Sequence, residues 1–370
     1  MWRNTIFLTI VMLGRLPAEQ SAEDISVLLE PIRNQYQLPA LTAAAVINGK
    51  IVSLGTAGAR RLGDPTPATN SDLWHIGSCT KSMTATLAAG MIEEGLLRWD
   101  STISETIPTL KGALHPDWEK VTLEQLLTNR SGAPGQAPGD LWKAAWKQEG
   151  SPAEQRMTFV RGLASRPPEA PPGTRFIYSN QGFSIAGAML ETVAGEPFET
   201  LLTRRLFEPL GMKSAGFGAP GEPGRATQPW GHARTGGEIQ PIPPGPKADN
   251  PPAITPAGRV HLSIADFARY AGWHAQGANA RPSLLSAESM TKLHTAAEGQ
   301  DYAMGWGVAH RAWAAGETLS HTGSNNSWFA VMWVAPARGA AFVAATNIGG
   351  EAAAAGTDAA VAALIQKHLR

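Results

Sequence analysis

The sequence predicts an α+β fold, in which one antiparallel sheet is built from both ends of the chain and helices lie between its two halves. Two predicted hairpins carry this prediction, and they pair residues 41–47 with 51–54 and residues 328–334 with 341–346. The first hairpin is centred on Asn48-Gly49, and a two-residue Asn-Gly loop between apolar runs is a strong hairpin signal. Strands at both ends with helices between them are typical of an α+β arrangement.

The middle of the chain is predicted to be mostly helical. Met83, Leu87 and Met91 recur at helical spacing, which predicts a helix from Ser78 to about Glu94, before Gly95. Further helices are predicted at 123–127, at 182–193, at 198–207 and, near the C-terminus, from about 358 to 368. Residues 216–256 are rich in Gly and Pro, so we expect irregular loop with at most short strands there.

The order of these elements predicts a division of the chain into three parts. Residues 1–22 are interpreted as an export signal, and residues 23–75 together with 206–370 as a sheet domain. Residues 76–205 form a mostly helical domain inserted into it. We expect the active site between the two domains.

The N-terminus carries the only targeting signal that we find. Arg3 precedes an apolar run of ten residues, Thr5 to Gly14, which suits a signal peptide but is shorter than the roughly 20 residues of a spanning helix. Ala18 and Ala22 offer cleavage points, although Arg15 is unusual for such a segment. We therefore expect a periplasmic or secreted protein, and no stable membrane span in the mature chain. An uncleaved N-terminal helix or an incorrect start remain as alternatives.

Charge and cysteine content exclude several classes of protein. Lys plus Arg and Asp plus Glu both count 31, so the formal net charge is zero, and we expect neither nucleic acid nor an anionic membrane as a partner. Cys79 is the only cysteine. The chain therefore cannot form an internal disulfide, a thiolate zinc site or a Cys-x-x-Cys redox pair.

The most informative motif is Ser78-x-x-Lys81 near the start of the first long helix. Residues three apart on a helix share a face and can touch. A serine hydroxyl becomes a good nucleophile only when a neighbouring base takes its proton, and a buried lysine with a lowered pKa can be that base. Alone, the pattern favours a surface lysine near a helix start over a catalytic pair.

Two further motifs follow along the chain. Tyr178-x-Asn180 lies in a segment that we expect to be extended, so that the phenol and the carboxamide share a side. His321 to Ser324 comes just before a predicted strand, and its Gly323 allows a close approach of another backbone. Each segment alone is commonplace, but their order and spacing favour a common site.

With these three motifs, the chain resembles the serine β-lactamase and penicillin-binding superfamily, in the branch with class C β-lactamases, DD-peptidases and family VIII esterases. Similar segments outside the motifs are residues 126–128, 131–132, 172–174, 208–212, 263–270 and 302–306. The resemblance implies a β-lactamase/transpeptidase-like fold with an inserted all-helical domain. It also implies an acyl-enzyme mechanism that uses no metal and no cofactor.

The resemblance further implies the catalytic roles of the motif residues. Ser78 attacks a carbonyl, while Lys81 and Tyr178 exchange its proton and later protonate the leaving group. The backbone N–H groups of Ser78 and Ser324 hold the oxyanion. Which of Lys81 and Tyr178 is the general base stays open from the sequence alone.

Substrate-binding roles fall to the remaining motif residues. Asn180 is expected to orient the acyl-side amide of the substrate. His321 and Thr322 are expected to contact its far end, where a carboxylate lies in peptide and lactam substrates, and Gly323 and Ser324 are expected to bind the substrate beside them. Class C enzymes usually have lysine at position 321, and the histidine here is similar to certain DD-peptidases and D-amino-acid peptidases. Because imidazole titrates near neutral pH, we expect His321 to bind such a carboxylate as imidazolium.

The sequence leaves the substrate open. We expect D-amino-acid peptides or β-lactams, with a family VIII-like carboxylesterase or a penicillin-binding sensor without turnover as alternatives. Asn129 and Arg130 depart from the His-Thr pair usual in the family, which leaves the contacts of that loop in doubt. Cys79 is interpreted as a packing residue. Trp306 and Trp328 are core candidates that could instead line a pocket. The sequence indicates no oligomeric state.

Overall fold

The computed structural model describes residues 22–369, so the predicted export signal lies outside the described residues except for Ala22. The strands of the described chain are β1 Glu23–Asp24, β2 Ala40–Ile47, β3 Lys50–Gly58, β4 Leu73–His75, β5 Gly216–Phe217, β6 Gly231–Thr235, β7 Glu238–Ile242, β8 Val260–Ser263, β9 Gly307–Arg311, β10 Gly316–Ser324, β11 Phe329–Ala335 and β12 Ala340–Thr346. Its α-helices are α1 Ser26–Gln35, α2 Thr80–Glu93, α3 Ile103–Thr106, α4 Leu123–Leu127, α5 Gly139–Ala145, α6 Pro152–Ala164, α7 Asn180–Ala194, α8 Phe198–Leu202, α9 Thr255–Gly258, α10 Ile264–Gln276, α11 Ala287–His294 and α12 Glu351–His368. This mixture of sheets and helices confirms the α+β prediction.

The main sheet has seven strands in the order β1-β3-β2-β12-β11-β10-β9. Strand β2 of the N-terminal hairpin pairs antiparallel with β12 of the C-terminal hairpin, so both ends of the chain meet in one sheet, as predicted. Among the described residues 22–369, only the two-residue strand β1 pairs in parallel, with β3. Strands β4, β8 and β5 form a second, three-stranded sheet, and β6 and β7 form a short hairpin within the Gly- and Pro-rich region.

Both faces of the main sheet are covered, and the sequence of β2 shows why. Successive side chains of a strand point to opposite faces. Ala44 and Val46 pack into the core that includes α10, whereas Ala43 and Ala45 pack into the core that includes α1 and α12. In a strand that is buried on both faces, polar and apolar residues do not alternate, so its sequence is a nearly continuous apolar run.

Several predicted elements differ from the structure at their ends. Asn48 and Gly49 both have positive φ, as the first hairpin requires. Gly95 is left-handed after α2, as predicted. The C-terminal helix begins at Glu351 instead of about Asp358, because the Ala-rich segment before Asp358 also forms helix. Helix α8 continues into a π-helical segment, Thr203–Phe207. The predicted domain boundaries stay a prediction.

Helix α2 is the central element that positions the site. Eleven of its 14 residues are buried, as expected for a helix packed on all sides. A 3₁₀ turn over Gly77–Cys79 precedes it and carries Ser78. No helix among residues 22–369 is long and apolar enough to cross a membrane.

Candidate active site

Ser78 and Lys81 are in contact at the start of α2, as their spacing predicts. The Nζ atom of Lys81 lies 3.1 Å from the Oγ atom of Ser78. Ser78 is half-buried, whereas Lys81 has no exposed surface. The nucleophile candidate is therefore accessible, and its amine neighbour is shielded from water.

The surroundings of Lys81 make its amine unusual. Its Nζ atom donates to Asn180 Oδ1 at 2.6 Å and to the carbonyl oxygen of Ala257 at 2.9 Å. Neither contact is a carboxylate, so desolvation by burial dominates and lowers the pKa of Lys81 to about 7. About half of the amine is therefore neutral near pH 7.

The second motif approaches Lys81 from the other side. Ser179 caps α7 by accepting from the N–H of Gly182, so Asn180 begins a helix and does not continue an extended segment, contrary to the prediction. Tyr178 lies just before this cap, with its ring centroid 4.7 Å from Lys81 Nζ. The phenol and the carboxamide thus both reach Lys81, although the local structure differs from the expected strand.

Tyr178 combines exposure with a perturbed hydroxyl. The residue is 40% exposed, so its ring is accessible to a substrate. Desolvation of the hydroxyl raises its pKa above the usual value, and a hydrogen bond with the Ser78 side chain opposes this rise only in part. The phenol is therefore protonated at neutral pH.

His321 lies in strand β10 and not in a turn, and its imidazole is neutral. Its Nδ1 atom lies 2.6 Å from the carbonyl oxygen of Thr322 and its Nε2 atom lies 3.3 Å from the hydroxyl of Tyr302. Because a carbonyl only accepts, Nδ1 carries the proton and Nε2 accepts from Tyr302. Burial, and then the charge of Lys81, lower the pKa of His321 to about 3. Without a bound anion, the site therefore disfavours the expected imidazolium at this position.

An aromatic wall lines one side of the site; it consists of Phe176, Tyr178, Tyr302 and His321. The ring centroids of Phe176 and Tyr302 lie 5.3 Å apart, and those of Tyr302 and Tyr178 lie 6.4 Å apart. Phe176 is 42% exposed. An apolar surface that stays open to solvent next to Ser78 suits an apolar part of a substrate.

The third motif meets the Ser78 turn at very short range. A Cβ atom on Gly323 would lie 2.5 Å from the backbone nitrogen of Ser78, and one on Gly77 would lie 2.4 Å from that of Ser324. Gly77 also has a φ of +49°, which side chains disfavour. Both glycines are thus required for the backbones that carry Ser78 and Ser324 to lie against each other. Thr322 and Ser324 are exposed at this edge.

Cys79 and two tryptophans take no part in the site. Cys79 is fully buried, its thiol donates to the carbonyl oxygen of His321 at 3.4 Å, and burial raises its pKa. This supports its interpretation as a packing residue. Trp306 and Trp328 are at most 1% exposed, so the alternative that they line a pocket is wrong.

Sequence reasoning missed three groups that hold the site. Asn129 is buried, with a φ of +58°, and its Oδ1 accepts from the N–H of Ser179, next to Tyr178. Tyr302 contacts His321, and the carbonyl of Ala257 contacts Lys81. The positive φ, which Asn tolerates well, gives one reason for Asn129 in this loop. A backbone carbonyl such as that of Ala257 leaves no signal in a sequence.

Among residues 22–369, no group of three or more His, Cys, Asp or Glu side chains is arranged to hold a metal ion.

The model of the β-lactamase family matches residues 25–367. This chain belongs to the β-lactamase family. The chain is 28% identical over 340 residues to penicillin-binding protein 4 of Amycolatopsis lactamdurans, a match that covers 89% of this chain and 86% of that protein. The family match and this relative make the protein a serine hydrolase of the β-lactamase family.

Two solved structures are similar in fold to this β-lactamase-family hydrolase. A class C β-lactamase matches with a TM-score of 0.75 and 19% identity, over 94% of this chain and 95% of that one. A D-stereospecific amidohydrolase from a Streptomyces species matches with a TM-score of 0.71 and 20% identity, over 91% of this chain and 97% of that one. These likenesses confirm the β-lactamase/transpeptidase-like fold.

Proposed function

We propose that this protein cleaves amide or ester carbonyls through an acyl-enzyme formed on Ser78, with D-amino-acid peptides or β-lactams as its substrate class. The observation that carries the proposal is the contact of 3.1 Å between Ser78 Oγ and Lys81 Nζ, with the amine fully buried. Burial lowers the pKa of Lys81 to about 7, and a general base works best with a pKa near the working pH.

The hydrogen bonds of Lys81 support a neutral amine as the base. A neutral amine has two N–H groups and one lone pair. Asn180 Oδ1 and the carbonyl oxygen of Ala257 can only accept, so they take the two N–H groups. The lone pair is then left for the hydroxyl of Ser78, which can donate. In this state Lys81 takes the proton of Ser78 as Oγ attacks the carbonyl.

Tyr178 is assigned the acid role. Its raised pKa disfavours a phenolate, so Lys81 is preferred to Tyr178 as the base of the first step. The protonated phenol, whose ring centroid lies 4.7 Å from Lys81 Nζ, donates its proton to the leaving group and is reprotonated from Lys81. In the second half-reaction, water replaces the leaving group and the same pair acts in reverse.

The backbone N–H groups of Ser78 and Ser324 are assigned to the oxyanion. The close packing at Gly77 and Gly323 brings the two segments together. Fixed N–H donors stabilise the charge that develops on the carbonyl oxygen, and each is worth about 10² to 10³ in rate.

The substrate class follows from the third motif and from the relatives. Asn180 and the exposed Thr322 offer hydrogen bonds to the acyl-side amide and to the far end of the substrate, beside Gly323. The names of the relatives, a penicillin-binding protein and a D-stereospecific amidohydrolase, support peptides and lactams. Because His321 is neutral, the far end is bound by hydrogen bonds and not by an ion pair with the imidazole.

A carboxylesterase is the second candidate function. The neutral His321 and the exposed rings of Phe176 and Tyr178 favour it, since neither requires a charged substrate. A penicillin-binding sensor would use the same first step but would not release the acyl group.

A substrate panel separates these functions. D-alanyl peptides, short-chain aryl esters and cephalosporins are compared by kcat/KM, with Ser78→Ala as the blank. Highest values for peptides or lactams support the proposal, and highest values for esters support the carboxylesterase. A single burst without repeated turnover on every substrate indicates the sensor.

We also propose export to the periplasm or the medium, based on the apolar run and the cleavage points within residues 1–22. N-terminal sequencing of the protein from culture fractions tests it, since a mature N-terminus near residue 19 or 23 is expected.

A further inference from the structure

A buried carboxylate lies behind the site, and the mechanism above does not use it. Asp249 is 4% exposed. Its Oδ2 atom accepts from His75 Nε2 at 3.0 Å and from Arg259 Nε at 3.2 Å. Its Oδ1 atom accepts from Asn325 Nδ2 at 2.9 Å and from the N–H of Asn250 at 2.8 Å. Four donors thus converge on one carboxylate, and three of them belong to side chains from segments of the site.

The first of these segments is the turn that carries the nucleophile. The N–H of Gly77 donates to His75 Nδ1 at 3.2 Å. Because a backbone N–H can only donate, Nδ1 must accept, and Nε2 carries the proton that is donated to Asp249. Asp249 therefore fixes the orientation of the His75 ring, and the ring holds the N–H of Gly77, the residue immediately before Ser78.

The second segment follows the third motif. Asn325 comes directly after Ser324, and its side chain donates to Asp249 while its Oδ1 accepts from the N–H of Ser327 at 3.1 Å. The same carboxylate is therefore tied to both backbones that carry the proposed oxyanion donors. Arg259 also donates to this carboxylate, and it lies two residues after Ala257, whose carbonyl oxygen accepts from Lys81.

We propose that Asp249 is a positioning residue that sets the separation of the Ser78 and Ser324 N–H groups through His75 and Asn325. This inference rests on the proposed function. The two backbones lie against each other at Gly77 and Gly323 with no side chain between them. Their spacing therefore depends on the hydrogen bonds that His75 and Asn325 make with Asp249. Misplacing a catalytic donor by about 1 Å costs about 10²-fold in rate.

The test is Asp249→Asn, with Asp72→Asn as the matched control. Asp72 is also a buried carboxylate paired with an arginine, Arg60, but its partners lie outside the site. An asparagine at 249 cannot accept from both His75 and Asn325. We expect kcat to fall by about 10- to 100-fold with KM changed by less than about threefold, since the donors act mainly in the transition state. The control should keep the wild-type kcat.

An aryl boronic acid gives a readout that a general loss of stability would not move. It forms a tetrahedral adduct in which Ser78 Oγ bonds to boron and a boron-bound oxygen occupies the oxyanion position. Its affinity for the Asp249→Asn protein should fall by the same factor as kcat, while the melting temperatures of the two Asn variants are compared in parallel.

A reciprocal exchange keeps the test decisive if Asp249→Asn folds poorly. Asn325→Asp alone places two carboxylates 2.9 Å apart and should be the most damaged variant. In the double variant Asp249→Asn with Asn325→Asp, the new amide can donate to the new carboxylate, so kcat and boronate affinity should recover.

The outcomes separate the inference from the proposed function. Wild-type kcat and boronate affinity in Asp249→Asn, or no recovery in the double variant, overturn the positioning role while acylation of Ser78 stands. If the wild-type protein is not acylated on Ser78 at all, the proposed function fails and the positioning role falls with it.

Discussion

The pH dependence of catalysis follows from the buried amine of Lys81, and Asn180→Asp perturbs it in a calculable way. The pKa of Lys81 is lowered from 10.5 to about 7 by burial. Only the neutral amine can accept the Ser78 proton, so the active fraction is lost as pH falls through 7. We expect kcat/KM for an uncharged aryl ester to fall about tenfold per pH unit below 6.5. It should be level from about pH 8 to 9, because the raised pKa of Tyr178 keeps the phenol protonated.

Asn180→Asp places a carboxylate where Asn180 Oδ1 now lies, 2.6 Å from Lys81 Nζ. At an effective dielectric constant of about 20, two unit charges at 2.6 Å attract by about 6 kcal/mol as an upper limit. At about 1.4 kcal/mol per tenfold change, this is enough to return the pKa of Lys81 to 10 or above. About one molecule in 10³ would then have a neutral amine at pH 7, so kcat/KM should fall by about 10³-fold.

The assay is initial-rate hydrolysis of the ester from pH 5 to 10 at constant ionic strength. The midpoint of the rise, about 7 in the wild type, should move to 10 or above in Asn180→Asp, so that its rate still climbs at pH 10. Loss of the substrate contact of Asn180 would lower the rate at every pH without moving the midpoint. Asn34→Asp, an added charge at an exposed position of α1, is the control and should leave the profile unchanged. A flat wild-type profile from pH 5 to 8, or the same midpoint in Asn180→Asp, would refute the reasoning.

Three further predictions concern the neighbours of this pair. Tyr178→Phe should lower kcat by about 10² to 10⁴ with little effect on the melting temperature; unchanged kcat in a folded variant would reduce Tyr178 to a packing residue. Because His321 stays neutral, KM for a carboxylate-bearing substrate should have the same pH profile from 5 to 8 as KM for a neutral ester. If KM rises with pH for the carboxylate-bearing substrate and not for the ester, His321 binds that carboxylate as imidazolium. Cys79→Ala should keep turnover, and Cys79 in the folded wild-type protein should react slowly with iodoacetamide at pH 8, since burial raises its pKa; fast alkylation with loss of activity would contradict its packing role.

The sequence predicts those parts of the fold that local patterns determine. The Asn48-Gly49 hairpin, the start of α2 and Gly95 after it depend on turn and capping preferences, which act over a few residues. The spacing of Ser78 and Lys81 also predicts their contact, because a helix or 3₁₀ turn brings residues three apart together.

The remaining features depend on packing between distant segments. The protonation of His321 follows from its burial against Tyr302 and Lys81, which its place in the sequence does not reveal. The contact of Asp249 with His75 joins residues 174 positions apart. Asn180 begins a helix because Ser179 caps it, whereas alternation alone favoured an extended segment.

The most direct test of the account is the site of covalent labelling. The protein is incubated with a slowly released β-lactam or aryl ester, quenched in acid and mapped by mass spectrometry, with fragmentation that separates Ser78 from Cys79. The account predicts one acyl group per chain on Ser78 Oγ, present in Cys79→Ala and absent in Ser78→Ala, whose turnover should fall by ~10⁴ or more. Labelling at another residue, or turnover by Ser78→Ala near the wild-type rate, would contradict it.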